Sequence, residues 1–124
     1  MIEVYFGHRP KTGGMLLNVM GHAETAPKGQ DLLCAAVSIL VHSLKDTMEW
    51  LEKEKLGTVH ILNIEEGLAC LHFEPDEAHV EAYHASLLPI RLGFKRLCEL
   101  YPEHIMVLYG EIREADENES WQSA

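Results

Sequence analysis
From Leu32 to about Lys55, apolar residues return at three- and four-residue spacing: Ala36, Val37, Leu40, Leu44, Met48 and Leu51. That period fits an α-helix and no strand. Leu32, Leu33, Ala35, Ile39 and Val41 fill the other faces of the first half, so this half is apolar almost all round. A helix of that kind sits centrally in a core or lies in a subunit interface. The second half carries Lys45, Asp46, Glu49, Glu52, Lys53 and Glu54 and reaches solvent, and Gly57 is the expected stop. Asp31, just before the helix, has a side chain suited to capping its start.

The flanking segments alternate with period two. Ile2, Val4 and Phe6 share one face of a strand over 2–7, with Glu3 and Tyr5 on the other. Lys11-Thr12-Gly13-Gly14 is a turn, and Met15 to Met20 is the second strand of a hairpin ending at Gly21-His22. Residues 24–30 hold Pro27 and Gly29 and form a loop. Thr58–Ile64 and Leu68–Phe73 flank Glu65-Glu66-Gly67, a second hairpin. Pro75 and Asp76 open a second helix that runs to about Tyr101, with Pro89 inside it, and Ile105–Tyr109 is a last strand. Hairpins followed by helices predict an α+β domain: a mainly antiparallel sheet with two helices packed on it, in the order ββαββαβ. Residues 1–110 form that single domain, and 111–124 form an acidic tail expected to be flexible.

Ten basic and twenty acidic residues give a net charge of -10, a surface that repels phosphate backbones and attracts basic partners. Direct nucleic-acid binding is therefore not expected. Neither is a membrane span, because no apolar run approaches about 20 residues. The first residues, Met1-Ile2-Glu3-Val4-Tyr5-Phe6, lack the basic start of a signal peptide, which predicts a cytoplasmic protein. Three widely spaced cysteines make no disulfide framework, so the question is which thiol is reactive.

Cys34 falls in the first turn of the long helix, where unsatisfied N–H groups and the helix dipole favour a thiolate. His22 ends the preceding strand, and a strand–loop–helix connection can fold it back beside Cys34. A Cys–His pair is the minimal set for nucleophilic acyl transfer. Ala35 and Ala36 leave room for a substrate backbone, Ser38 lies one turn after Cys34 on the same face, and the helix N–H groups could form an oxyanion hole. A plainer reading stands beside it: Cys34 as a small packing residue and His22 as a loop histidine. On spacing alone the plainer reading is the commoner one. Asp31 has two candidate roles, capping the Cys34 helix or orienting His22, and capping is the simpler. Cys70 and His72 share a strand face as a Cys-x-His pair, yet no second pair stands at metal-site spacing, so no metal and no cofactor are expected. Cys98 reads as packing.

Gly21-His22-Ala23, Gly29, Asp31 and Cys34-Ala35-Ala36-Val37-Ser38 resemble the signature of the bacterial ribosomal-processing cysteine protease family, Prp. Length, element order and motif position are similar over roughly residues 1–110. The resemblance implies a small homodimeric α+β endopeptidase. Such an enzyme removes a basic N-terminal extension from a large-subunit ribosomal protein, the twenty-seventh in that naming scheme. It places the catalytic histidine on His22 and the nucleophile on Cys34. Asp31, Ser38, Gly21, Gly29 and Ala35 take supporting roles, and the loop over 23–30 becomes a gate that moves on substrate binding. Two other functions compete: a non-catalytic acidic module that holds a basic protein in ribosome assembly, and a thiol redox sensor using Cys34.

Overall fold
The structure is a computed structural model that describes residues 1–22 and 31–112. Its elements are β1 (Ile2–His8), β2 (Met15–Gly21), α1 (Leu32–Lys53), β3 (Gly57–Glu65), β4 (Leu68–Pro75), α2 (Val80–Leu100) and β5 (Ile105–Glu111). The expected order ββαββαβ holds. The five strands form one sheet in the order β3-β4-β2-β1-β5. Three of its pairings are antiparallel, as expected, while β1 and β5 run parallel, with Ile2 opposite Ile105. The sheet is therefore mixed. A chain that leaves α2 and enters beside the first strand crosses over the sheet, and a crossover delivers a parallel strand.

Both helices cover one face of the sheet. Ile2, Val4, Phe6, Leu17, Val19, Leu71 and Phe73 point from the strands into that layer. Leu33, Val37, Val41, Leu44, Met48 and Leu51 meet them from α1, and Tyr83, Leu87, Ile90, Phe94 and Leu97 from α2. Leu16, Cys70 and Ile112 form a small buried cluster on the opposite face, packed with Ile61. Glu111 lies in β5, and the N–H of Ile112 donates to His8 O at 2.9 Å. The rest of the expected tail, and the expected loop with Gly29, lie outside the described residues. Among the described residues no helix is long and apolar enough to cross a membrane.

The end of α1 differs from the expectation. Glu54 caps the helix and Lys55 takes the left-handed conformation, φ 61°. The N–H of Leu56 donates to Leu51 O at 2.8 Å and that of Lys55 to Glu52 O at 3.0 Å, the paired bonds of a Schellman motif. Gly57 is already the first residue of β3, and a Cβ there would collide with the Phe73 ring. It is glycine for packing, with the stop made two residues earlier. The second helix also starts later than Pro75–Asp76 predicts. A 3-10 turn over Glu77–His79 comes first, capped by Asp76, and α2 then runs through Pro89.

At the β1–β2 turn, Glu74 gathers three donors. Thr12 Oγ1 lies 2.6 Å from Glu74 Oε1, Arg9 Nε 3.3 Å from Oε2, and His72 Nε2 2.6 Å from Oε2. The His72 ring is buried, 4.9 Å from that of His60. Burial holds His72 below the ordinary histidine value of 6.5, outweighing the upward pull of Glu74, and the nearby His60 and Arg9 add to the lowering. Burial pushes Glu74 up, but its bonds from Thr12, His72 and Arg9 outweigh this and leave it below 4.5. The unfolded chain thus binds a proton at both positions more readily than the native one. Stability that both groups permit at neutral pH is lost on acidification. The denaturant midpoint is expected to fall first as pH drops below 6.5, from His72, and again below 4.5, from Glu74. Guanidinium titrations across this range check it, and His72→Leu reduces the first decline, the remainder coming from His84, which burial also holds below 6.5.

Candidate active site
Two chain ends meet at one edge of the helix layer. On β2, Gly21 takes φ +97°, which turns the chain out of the sheet. A Cβ at this position would strike the carbonyl oxygen of Met1, so the position is closed to larger residues by backbone. The N–H of Gly21 donates to Gly67 O at 2.9 Å, and the nitrogen of Met1 donates to His22 O at 2.8 Å. These two bonds hold the His22 backbone to the start of β1 and to the β3–β4 turn. The exposed imidazole stands over Gly67.

The second chain end is the start of α1. Asp31 Oδ1 accepts the N–H of Cys34 at 3.0 Å, so capping is the role of Asp31 that the structure displays. Asp31 is itself buried, which fixes the first turn. Cys34 is half-buried and packs against the core. Because the Cys34 N–H goes to the Asp31 side chain and the Ala35 N–H to Asp31 O, only the Leu32 and Leu33 N–H groups of the first turn remain as donors among the described residues.

A groove of about 860 Å³ joins the two ends. Gly21 and His22 line one side, and Asp31, Cys34, Ala35 and Ser38 line the other. The β3–β4 turn, Glu65 to Leu68, closes the third side. The structure thus brings six of the seven sequence-derived site residues to one groove, and Gly29 lies outside the described residues. Among the described residues no hydrogen bond joins His22 to Cys34. His42 and Gly67 are among the groove residues that the sequence pattern did not point to. His42 is eight residues after Cys34, hence on the same helix face about 12 Å along the axis, a spacing that was there to be read. Gly67 was read only as a turn residue.

The other thiols are unsuited to nucleophilic work. Burial pushes the Cys70 thiol up to about 12, and Cys98 Sγ lies 3.7 Å from Ile105 O, to which it can donate. His72 is engaged by Glu74 and not by Cys70. No group of three or more His, Cys, Asp or Glu among the described residues is arranged to hold a metal ion.

The sequence profile of the cysteine protease Prp family matches residues 1–106. The chain belongs to the Prp family. It is accordingly a cysteine peptidase. No curated protein sequence matches it. Several solved structures share the fold. The S. aureus ribosomal processing protease Prp with a covalently linked product peptide is 19% identical, with TM-score 0.65, over 88% of this chain and 99% of that one. The same protease with a substrate peptide is 18% identical, with TM-score 0.61 and the same coverage. A Streptococcus mutans protein is 25% identical, with TM-score 0.56, over 90% of this chain and 96% of its own. In this Prp-family chain the groove holds a cysteine at a capped helix start and a histidine on the facing wall.

Proposed function
We propose that this Prp-family peptidase trims a basic N-terminal extension from a large-subunit ribosomal protein, the twenty-seventh, in the cytoplasm. The observation that carries the reading is the convergence of His22 and Cys34 on one groove in a chain of this family. Cys34 gives its thiol proton to His22, its Sγ attacks the scissile carbonyl, and the carbonyl π electrons move to its oxygen. The intermediate collapses, the C–N bond breaks, and His22 gives its proton to the departing amine. Water, deprotonated by His22, then attacks the thioester and releases the acid. Asp31 holds the helix that carries the nucleophile, Ser38 lines the floor, and Ala35 leaves room for the substrate backbone. The net charge of -10 favours encounter with a basic ribosomal protein.

The test is incubation of the purified enzyme with the extended ribosomal protein and measurement of the product mass. Trimming by the wild type but not by Cys34→Ala supports the reading. No trimming, or binding and function intact in Cys34→Ser, points to the non-catalytic acidic module instead.

We further propose a homodimer formed through the helix layer. The first half of α1 buries one face, through Leu33, Val37 and Val41, and leaves the other open: Leu32 is 75% and Ile39 63% exposed, and on α2 Leu88 and Leu92 are about half exposed. Leu40 packs on Gly93, so exposed Ile39 and Leu92 belong to neighbouring stretches of one helix pair. Apolar side chains left open in this way fit the interface alternative for such a helix. Sedimentation is expected to give twice the protomer mass, and Ile39→Asp to shift the protein to monomer.

A further inference from the structure
Gly67 is the second residue of the two-residue turn between β3 and β4, closed by the pair Glu65 and Leu68. Its φ of +76° asks for glycine or asparagine on backbone grounds alone. The site makes a second, separate demand. A Cβ at position 67 would lie 2.7 Å from Nε2, 3.2 Å from Cε1 and 3.5 Å from Cδ2 of His22. The Nε2 edge of the imidazole therefore rests on the bare Cα of this glycine.

The backbones around that contact are tied. The Gly21 N–H bonds to Gly67 O itself, and the Met1 nitrogen bonds to His22 O. The two strands cannot part to admit a methyl group without breaking these bonds. The ring is the part free to move, by rotating about its side-chain bonds. This is unlike Gly21, where an added Cβ meets backbone and the sheet edge itself would have to shift. At Gly67 the displacement falls on the orientation of one side chain.

We infer that Gly67 is a positioning residue for His22: its missing side chain is the seat that sets the imidazole in the groove. The inference rests on the reading of His22 as the proton-transfer group. The turn role and the seat role separate by substitution. Asparagine accepts the left-handed backbone but carries a Cβ, whereas alanine does neither job. A seat predicts that Gly67→Asn and Gly67→Ala both lose activity; a turn alone predicts that Gly67→Asn keeps it.

The experiment measures peptide cleavage by wild type, Gly67→Asn, Gly67→Ala and His22→Ala, together with thermal midpoints and the histidine ring NMR signals of the two glycine variants. The expected result is a fall in kcat of roughly 100-fold in both glycine variants, KM within about twofold, and a displaced His22 ring signal beside an unmoved His79 signal. Gly67→Asn should keep a near-native midpoint, so a poorly folded alanine variant would not decide the outcome. Wild-type kcat and an unmoved His22 signal in Gly67→Asn would overturn the inference while leaving His22 catalytic. Full activity in His22→Ala would overturn it differently, by removing the reading on which it rests.

Discussion

A Cys34→Ala variant is expected to cleave at least about 10⁴-fold more slowly than the wild type while still binding uncleaved substrate. The loss is large because no other thiol can replace it. Cys70 is buried on the opposite face of the sheet, with its thiol pushed up to about 12, and Cys98 packs on the core from α2. His22→Ala is expected to fall by a similar factor, since proton transfer to the leaving amine fails with it. The double variant should be little worse than either single one, because the two groups act as a unit. Single-turnover cleavage measures the rates, and calorimetric titration with the uncleaved peptide measures the retained affinity. Cys34 is only half-buried, so the alanine variant should keep a near-native thermal midpoint. That separates lost chemistry from lost fold.

The largest loss of stability is expected at Phe94. Its ring is fully buried on α2 and meets the edge of Phe6 at a centroid distance of 5.4 Å and an angle of 74°. Phe6 in turn stacks on Tyr109 at 5.8 Å. This aromatic column ties the second helix to β1 and β5. Phe94→Ala removes the ring from a closed layer and leaves a cavity, at a cost of about 3–5 kcal/mol. For a domain of this size that lowers the melting temperature by roughly 10–20 °C. Chemical denaturation at constant pH checks the value. A loss under about 1 kcal/mol would mean that the layer refills the space and that Phe94 is not central to it.

Much of this architecture can be read from local pattern. Alternation at Ile2, Val4 and Phe6 marks the inward face of β1, and the three- and four-residue spacing in α1 picks out Val37, Leu44, Met48 and Leu51, all buried. Asp31 is legible as a cap because the cap is a local bond, three residues long. The illegible parts are those that depend on distant neighbours. Nothing in Ile105–Tyr109 says that the strand will lie parallel to β1, because a partner is chosen by the whole sheet. The Gly57 stop was misread because packing against Phe73 and helix termination ask for the same residue. The site shows the same division. His22, Asp31, Cys34 and Ser38 sit in one contiguous stretch and can be read together. The seat at Gly67 comes from another hairpin, and only the fold brings it there.

The pairing of β1 with β5 sets the order in which this molecule can be completed. Apart from Ile2 and Val19, the residues that line the groove lie between 21 and 69. The strand that covers the free edge of β1 begins at Ile105. During synthesis the groove can therefore take shape around β2, α1, β3 and β4 while β1 still exposes one edge and Ile2 waits for Ile105. Closure across about a hundred residues is slow compared with local hairpin formation. The nascent chain thus carries an unpaired, apolar strand edge until β5 emerges, and that interval is when it is most open to misassembly.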